Sequence, residues 1–183
     1  MNRSETRRYW LLQTVQWLVF AVMIFISFLA ETSGSFVKPL LLIPLALCIS
    51  SHTGELQATA VGMISGLLLD IACGKLLGYN AVWLVICCVA VSLLYSYYLR
   101  EKLLNMLLLT AVCATVQGYL DFLFYYAIWG HDDVMLVYTR IILPSGILTV
   151  LSAIPLYFIV KKLCTACGSR RNFELEKTII RNS

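Results

Sequence analysis

The sequence predicts an all-α integral membrane protein with six transmembrane helices, and three observations carry that reading. Of the 183 residues, 60% are apolar and only 13% are charged. The mean hydropathy is +0.83, whereas an ordinary soluble domain is about 25% charged. The apolar residues fall in six runs separated by short polar turns, and a bilayer core of about 30 Å needs roughly 20 apolar residues per helix. With six spans the basic residues sort by side. Arg3, Arg7, Arg8, Arg100, Lys102, Lys161, Lys162, Arg170, Arg171, Lys177 and Arg181 share one side, and only Lys38, Lys75 and Arg140 lie on the other. The positive-inside rule then places both ends in the cytoplasm, with the protein multi-pass in the cytoplasmic membrane.

The first span covers about 9–30. It is too long for a signal-peptide core and lacks a small-x-small cleavage pattern at Phe28-Leu29-Ala30, so it reads as an uncleaved helix. The second covers about 36–51, the shortest of the six, with Pro39 at its start and Pro44 as an expected kink. A re-entrant segment there would leave five spans and split the basic ends across the membrane, against the charge count. The third covers 56–73. Gly74 to Asn80 is a turn, with Asn80 as the expected N-cap of the fourth span, 81–99. The fifth runs 103–129 and the sixth 134–160, with Pro144 and Pro155 as expected kinks and Lys161-Lys162 as its stop. Residues 1–163 thus form one membrane domain and 164–183 a short basic tail. The net charge of +4 reflects topology and membrane lipid, not nucleic acid.

One stretch stands out. Ala58, Gly62, Gly66 and Asp70 recur every four residues, and Gly74 and Gly78 keep the step into the turn before Asn80. At helical pitch the first four share one face. Three residues of almost no bulk let another membrane helix, of this chain or of a partner, come close, and an acid follows, so the stretch reads as a packing or partner face. Gly74 suits a helix C-cap and Gly78 a positive φ. Asp70 can satisfy backbone N–H groups of this turn or of the next helix.

Ionisable groups inside a span need a reason, and Asp70, Asp121 and Arg140 are the candidates. By the topology all three lie in the extracytoplasmic half. Asp121 and Arg140 sit at depths of ~13 and ~9 Å, which allows an ion pair between spans 5 and 6 or a polar outer pocket. Nothing assembles into a catalytic set: His52 and His131 are single loop histidines, and no paired carboxylates or Ser/His/Asp group can be built. No metal site or cofactor is expected. The seven cysteines are scattered, mostly within apolar runs, and only Cys164 and Cys167 have metal or redox spacing, without a second pair.

The segment Gly62-(x)3-Gly66-Leu67-Leu68-Leu69-Asp70-(x)3-Gly74-(x)3-Gly78-x-Asn80-Ala81 resembles the signature of the MreD family, small membrane proteins of the bacterial rod-shape apparatus. Length, six-span layout and basic ends are also similar. The resemblance implies a non-enzymatic scaffold that binds an MreC-type protein. It also implies support of the elongation machinery: RodA, a class B penicillin-binding protein and MreB. It implies a fold similar to the substrate-binding S-components of energy-coupling-factor transporters, with a pocket in the outer half. The alternative is such an S-component itself, for a vitamin or metal. Those subunits typically carry Ala-x-x-x-Ala in the first span, and here Ala21 and Ala30 are nine apart.

Overall fold

A computed structural model describes residues 3–33, 39–98, 102–124 and 143–167. Among them the chain is all-helical: α1 Arg3–Thr32, α2 Leu42–His52, α3 Glu55–Cys73, α4 Tyr79–Tyr97, α5 Leu103–Phe122 and α6 Leu143–Cys167. Five of these six are long and apolar enough to cross a membrane, within Gln13–Thr32, Glu55–Cys73, Tyr79–Tyr97, Leu103–Phe122 and Pro144–Thr165. Their outward faces carry large apolar residues in the open, such as Leu18 and Phe25 on α1, Met63 and Ile64 on α3, Ile86 on α4, Val112 on α5 and Phe158 on α6. A water-soluble monomer rarely tolerates so much contiguous apolar surface, whereas lipid requires it.

α2 differs from the expected second span over 36–51. It has 11 residues, about 16 Å at 1.5 Å per residue, roughly half a hydrocarbon core. As a helix it does not cross a membrane alone. Pro44 does not kink it. That residue falls in the first turn, where its missing N–H costs no intrahelical bond. Every residue from Leu42 to Ser51 is buried, because a helix apolar on all sides is stable only when surrounded by others. α2 is therefore the core on which the longer helices pack.

The start of α2 is held from two directions. Glu31 Oε1, near the end of α1, accepts from the Leu42 N–H at 2.8 Å. Thr149 Oγ1 of α6 accepts from the Leu40 N–H at 2.9 Å. Glu31, just past the first span expected over 9–30, lies inside α1 and is 3% exposed. A carboxylate at a helix N-terminus satisfies orphan N–H groups and meets the positive end of the helix dipole.

The chain directions follow from a few contacts. Thr53 and Gly54 join α2 to α3, and Ser92 Oγ of α4 donates to the Thr53 carbonyl at 2.9 Å. The end of α2, the start of α3 and the second half of α4 therefore meet at one end of the bundle. Gln16 Nε2 of α1 donates to Cys164 Sγ of α6 at 3.5 Å, so α1 and α6 run antiparallel. α6 also continues past Lys161-Lys162, which were expected to stop it. Lys161 lies 5.5 Å from the Tyr157 ring centroid, and a long lysine stem lets the ammonium leave the apolar zone while the backbone stays helical. Pro155 lies inside α6, and Pro144 falls in its first turn. The parts of spans 5 and 6 expected over 125–142 lie outside the described residues.

Replacing Glu31 by Ala removes the cap of α2 and should destabilise the purified protein by about 1–3 kcal/mol in detergent unfolding. Glu31→Gln, which keeps an acceptor, should lose less, and Thr32→Ala, an exposed neighbour, should lose little.

Candidate functional site: a glycine-packed hairpin with a carboxylate cap

The 58–80 stretch forms α3 and the turn into α4. Ala58, Gly62, Gly66 and Asp70 all lie on its buried face. The glycines face α4 of the same chain. A Cβ added at Gly66 would stand 2.3 Å from the Ala81 Cα and 2.9 Å from the Asn80 carbonyl oxygen. At Gly62 it would stand 2.9 Å from the Val85 Cα and 3.0 Å from the Leu84 carbonyl oxygen. These are backbone atoms, so no side-chain rotation could relieve the clash. The two helices touch backbone to backbone, and only glycine permits that approach. Gly54 and Gly146, by contrast, face open space.

α3 ends at Gly74, with φ +63°. The Gly74 N–H donates to the Ile71 carbonyl at 3.3 Å, and the Lys75 N–H to the Asp70 carbonyl at 3.0 Å. That pair of bonds is the Schellman ending, which favours glycine at the left-handed position. Gly78, with φ +99°, is the second such position and the N-cap of α4. Asn80, expected as the N-cap, lies inside the first turn instead. A glycine cap has no side chain to accept a bond, and the missing acceptor comes from α3. Asp70 Oδ2 accepts from the Gly78 N–H at 2.8 Å, and Oδ1 from the Asn80 N–H at 3.0 Å. Asp70 is 0% exposed. A fully buried carboxylate is tolerable here because both oxygens take charge-assisted bonds from N–H groups at the positive end of a helix.

The side chains of the turn reach α5. Gln117 Nε2 donates to Asn80 Oδ1 in a short hydrogen bond between two fully buried residues. Lys75 Nζ lies 2.6 Å from Asp121 Oδ2, with side chains 19% and 14% exposed. Tyr79 meets Phe124 edge to face, with ring centroids 5.4 Å apart. The partner of Asp121 among the described residues is thus Lys75, where the sequence reading paired it with Arg140. Arg140 lies outside the described residues.

Three polar residues of this framework escaped the sequence reading: Lys75, Gln117 and Glu31. Gln117 carried a usable signal, since it is an amide in the middle of an apolar span. Lys75 carried a weaker one as one of only three basic residues on the outer side. Cys164 is buried against Gln16, and the side chain of Cys167 lies outside the described residues. Chemically the site is a framework. Both oxygens of Asp70 are engaged by backbone. Among the described residues no three His, Cys, Asp or Glu side chains come together as metal ligands.

These features define a class first: a multi-pass helical membrane protein built around a glycine-packed, carboxylate-capped hairpin. Residues 8–167 match the family described as rod shape-determining protein MreD. The chain belongs to the MreD family and is a rod shape-determining membrane protein. No curated protein and no solved structure matches the sequence.

Asp70→Ala should destabilise the protein by about 2–4 kcal/mol, two charge-assisted bonds being lost. Asp70→Asn should fall between it and the native residue. Amide hydrogen exchange at Gly78 and Asn80 should accelerate in the same order. For Lys75 and Asp121, a double-mutant cycle with Ala should give a coupling of about 1–3 kcal/mol, between surface and buried pairs. The charge swap Lys75→Asp with Asp121→Lys should recover part of the loss.

Proposed function

We propose that this chain is a non-enzymatic scaffold subunit of the bacterial cell-elongation complex, acting in peptidoglycan synthesis through an MreC-type partner. On this reading it sits in the cytoplasmic membrane with both ends in the cytoplasm. It serves the assembly that holds RodA, a class B penicillin-binding protein and MreB. The observation that carries the reading is the family match over most of the chain, seated on a hairpin whose buried carboxylate, Asp70, is spent on backbone. Six passages through the membrane complete the proposal. α2 belongs to the second passage, in a fold of the S-component kind. The antiparallel run of α1 and α6 supports ends on one side, and the basic residues of both ends support that side being the cytoplasm.

The partner then engages a surface other than the Gly62–Gly66 face, which α4 already occupies. The outward apolar faces remain for a single-span helix or for lipid.

Depletion of the protein in a rod-shaped cell should produce rounding, and an MreC-type protein should co-purify with it. Unchanged rods would contradict the assignment. Rounding without co-purification would leave the shape role standing and remove the partner.

A further inference from the structure

The Asn80–Gln117 contact uses only half of each amide. Asn80 Nδ2 and Gln117 Oε1 are buried, with no hydrogen-bond partner among the described residues, and the two residues are 0% and 1% exposed. Asp121 Oδ1 is in the same condition, its other oxygen being held by Lys75. Gln117 and Asp121 are four residues apart, one turn along the same face of α5. Three buried polar atoms on these two helices therefore have unmet capacity: one amide N–H donor of α4, and one amide carbonyl and one carboxylate oxygen of α5. Buried polar atoms in native proteins are rarely left without partners, and each such case requires a ligand or a rearrangement.

We propose that this seam is a binding site for one small hydroxyl ligand, a water molecule, that bridges α4 and α5. The ligand accepts from Asn80 Nδ2 and donates to Gln117 Oε1, and its second hydrogen serves Asp121 Oδ1 one turn outward. Three hydrogen bonds is the usual complement of a buried water. The donor set selects against other occupants. A metal cation would face the Asn80 amide hydrogens and the neighbouring Lys75 ammonium. An anion would face a carbonyl and a carboxylate. A lipid headgroup or a partner's side chain has no way in, because the two amides are closed to the outside.

The bridge gives the site a role. Asp70 holds the start of α4, Asn80 meets Gln117, Asp121 meets Lys75, and the Lys75 N–H returns to the Asp70 carbonyl. The water closes this path into a ring across α3, α4 and α5, so that the hairpin and α5 are tied by more than one amide bond. The site depends on the fold alone and stands or falls separately from any partner.

The test is a structure of the full chain in lipid nanodiscs at a resolution that shows ordered solvent, together with the Gln117→Met variant. The native protein should show one solvent peak within hydrogen-bond distance of Asn80 Nδ2 and Gln117 Oε1. The variant keeps the bulk, removes the carbonyl, and should lose that peak while Lys75 stays on Asp121. If the variant does not fold, Asn80→Ala should lose the peak likewise. Two amides closed directly on one another without solvent would overturn the proposal. So would elongated density of a lipid, or a peak that persists in both variants.

Discussion

The structure depends on one contact, the approach of the α3 and α4 backbones at Gly62 and Gly66. Membrane helices gain little from hydrophobic association, since lipid tails are as apolar as leucine. What holds them is close van der Waals packing, and that requires small residues where backbones meet. A Cβ at Gly66 would overlap the Ala81 backbone. The approach fixes the level at which α4 begins, and only at that level does the Asp70 carboxylate reach the N–H groups of Gly78 and Asn80. Packing and capping are thus one device. The glycines bring the helix start to the acid, and the acid makes a glycine-capped start tolerable in an apolar medium.

The second constraint is the short core helix. α2 fills the middle of the bundle over about half a bilayer's depth and must begin somewhere inside. In lipid, an uncapped helix start leaves several N–H groups without acceptors, each a loss of several kcal/mol. Glu31 from α1 and Thr149 from α6 provide acceptors at Leu42 and Leu40. The same solution therefore appears twice in the chain: a carboxylate from one helix caps the start of another. Both acids are buried for this reason.

How far the sequence carried this fold can be seen residue by residue. α3 was legible almost to its ends because apolar periodicity, Gly74 and Asp70 all agree there. The Asp70 role was legible as a choice between N–H groups of the turn and of the next helix, and the carboxylate takes one of each, Gly78 at the cap and Asn80 in the first turn of α4. The cap was placed two residues late, at Asn80, since polar-residue preference pointed to it while Gly78 with its positive φ holds the cap. The second span was misread because a 16-residue apolar run does not say how much of itself is helix. Glu31 and Lys75 were missed for a common reason: their roles depend on partners 11 and 46 positions away, a distance over which local pattern says nothing. The geometry assigns Gly62, Gly66 and Asp70 of the signature segment to internal construction.

That assignment is the central claim, and the most direct measurement of it is the unfolding stability of the chain alone, without any partner, carrying Gly66→Ala. Gly146→Ala, at an open helical position, serves as the comparison. Helix propensity alone would make both substitutions favourable by up to about 1 kcal/mol. The account predicts that Gly146→Ala is neutral or stabilising. It predicts that Gly66→Ala is destabilising by about 3 kcal/mol or more, because α3 and α4 must separate. A partner-free chain as stable with Gly66→Ala as without it, yet unable to bind its partner, would contradict the account and make the glycine face a docking surface.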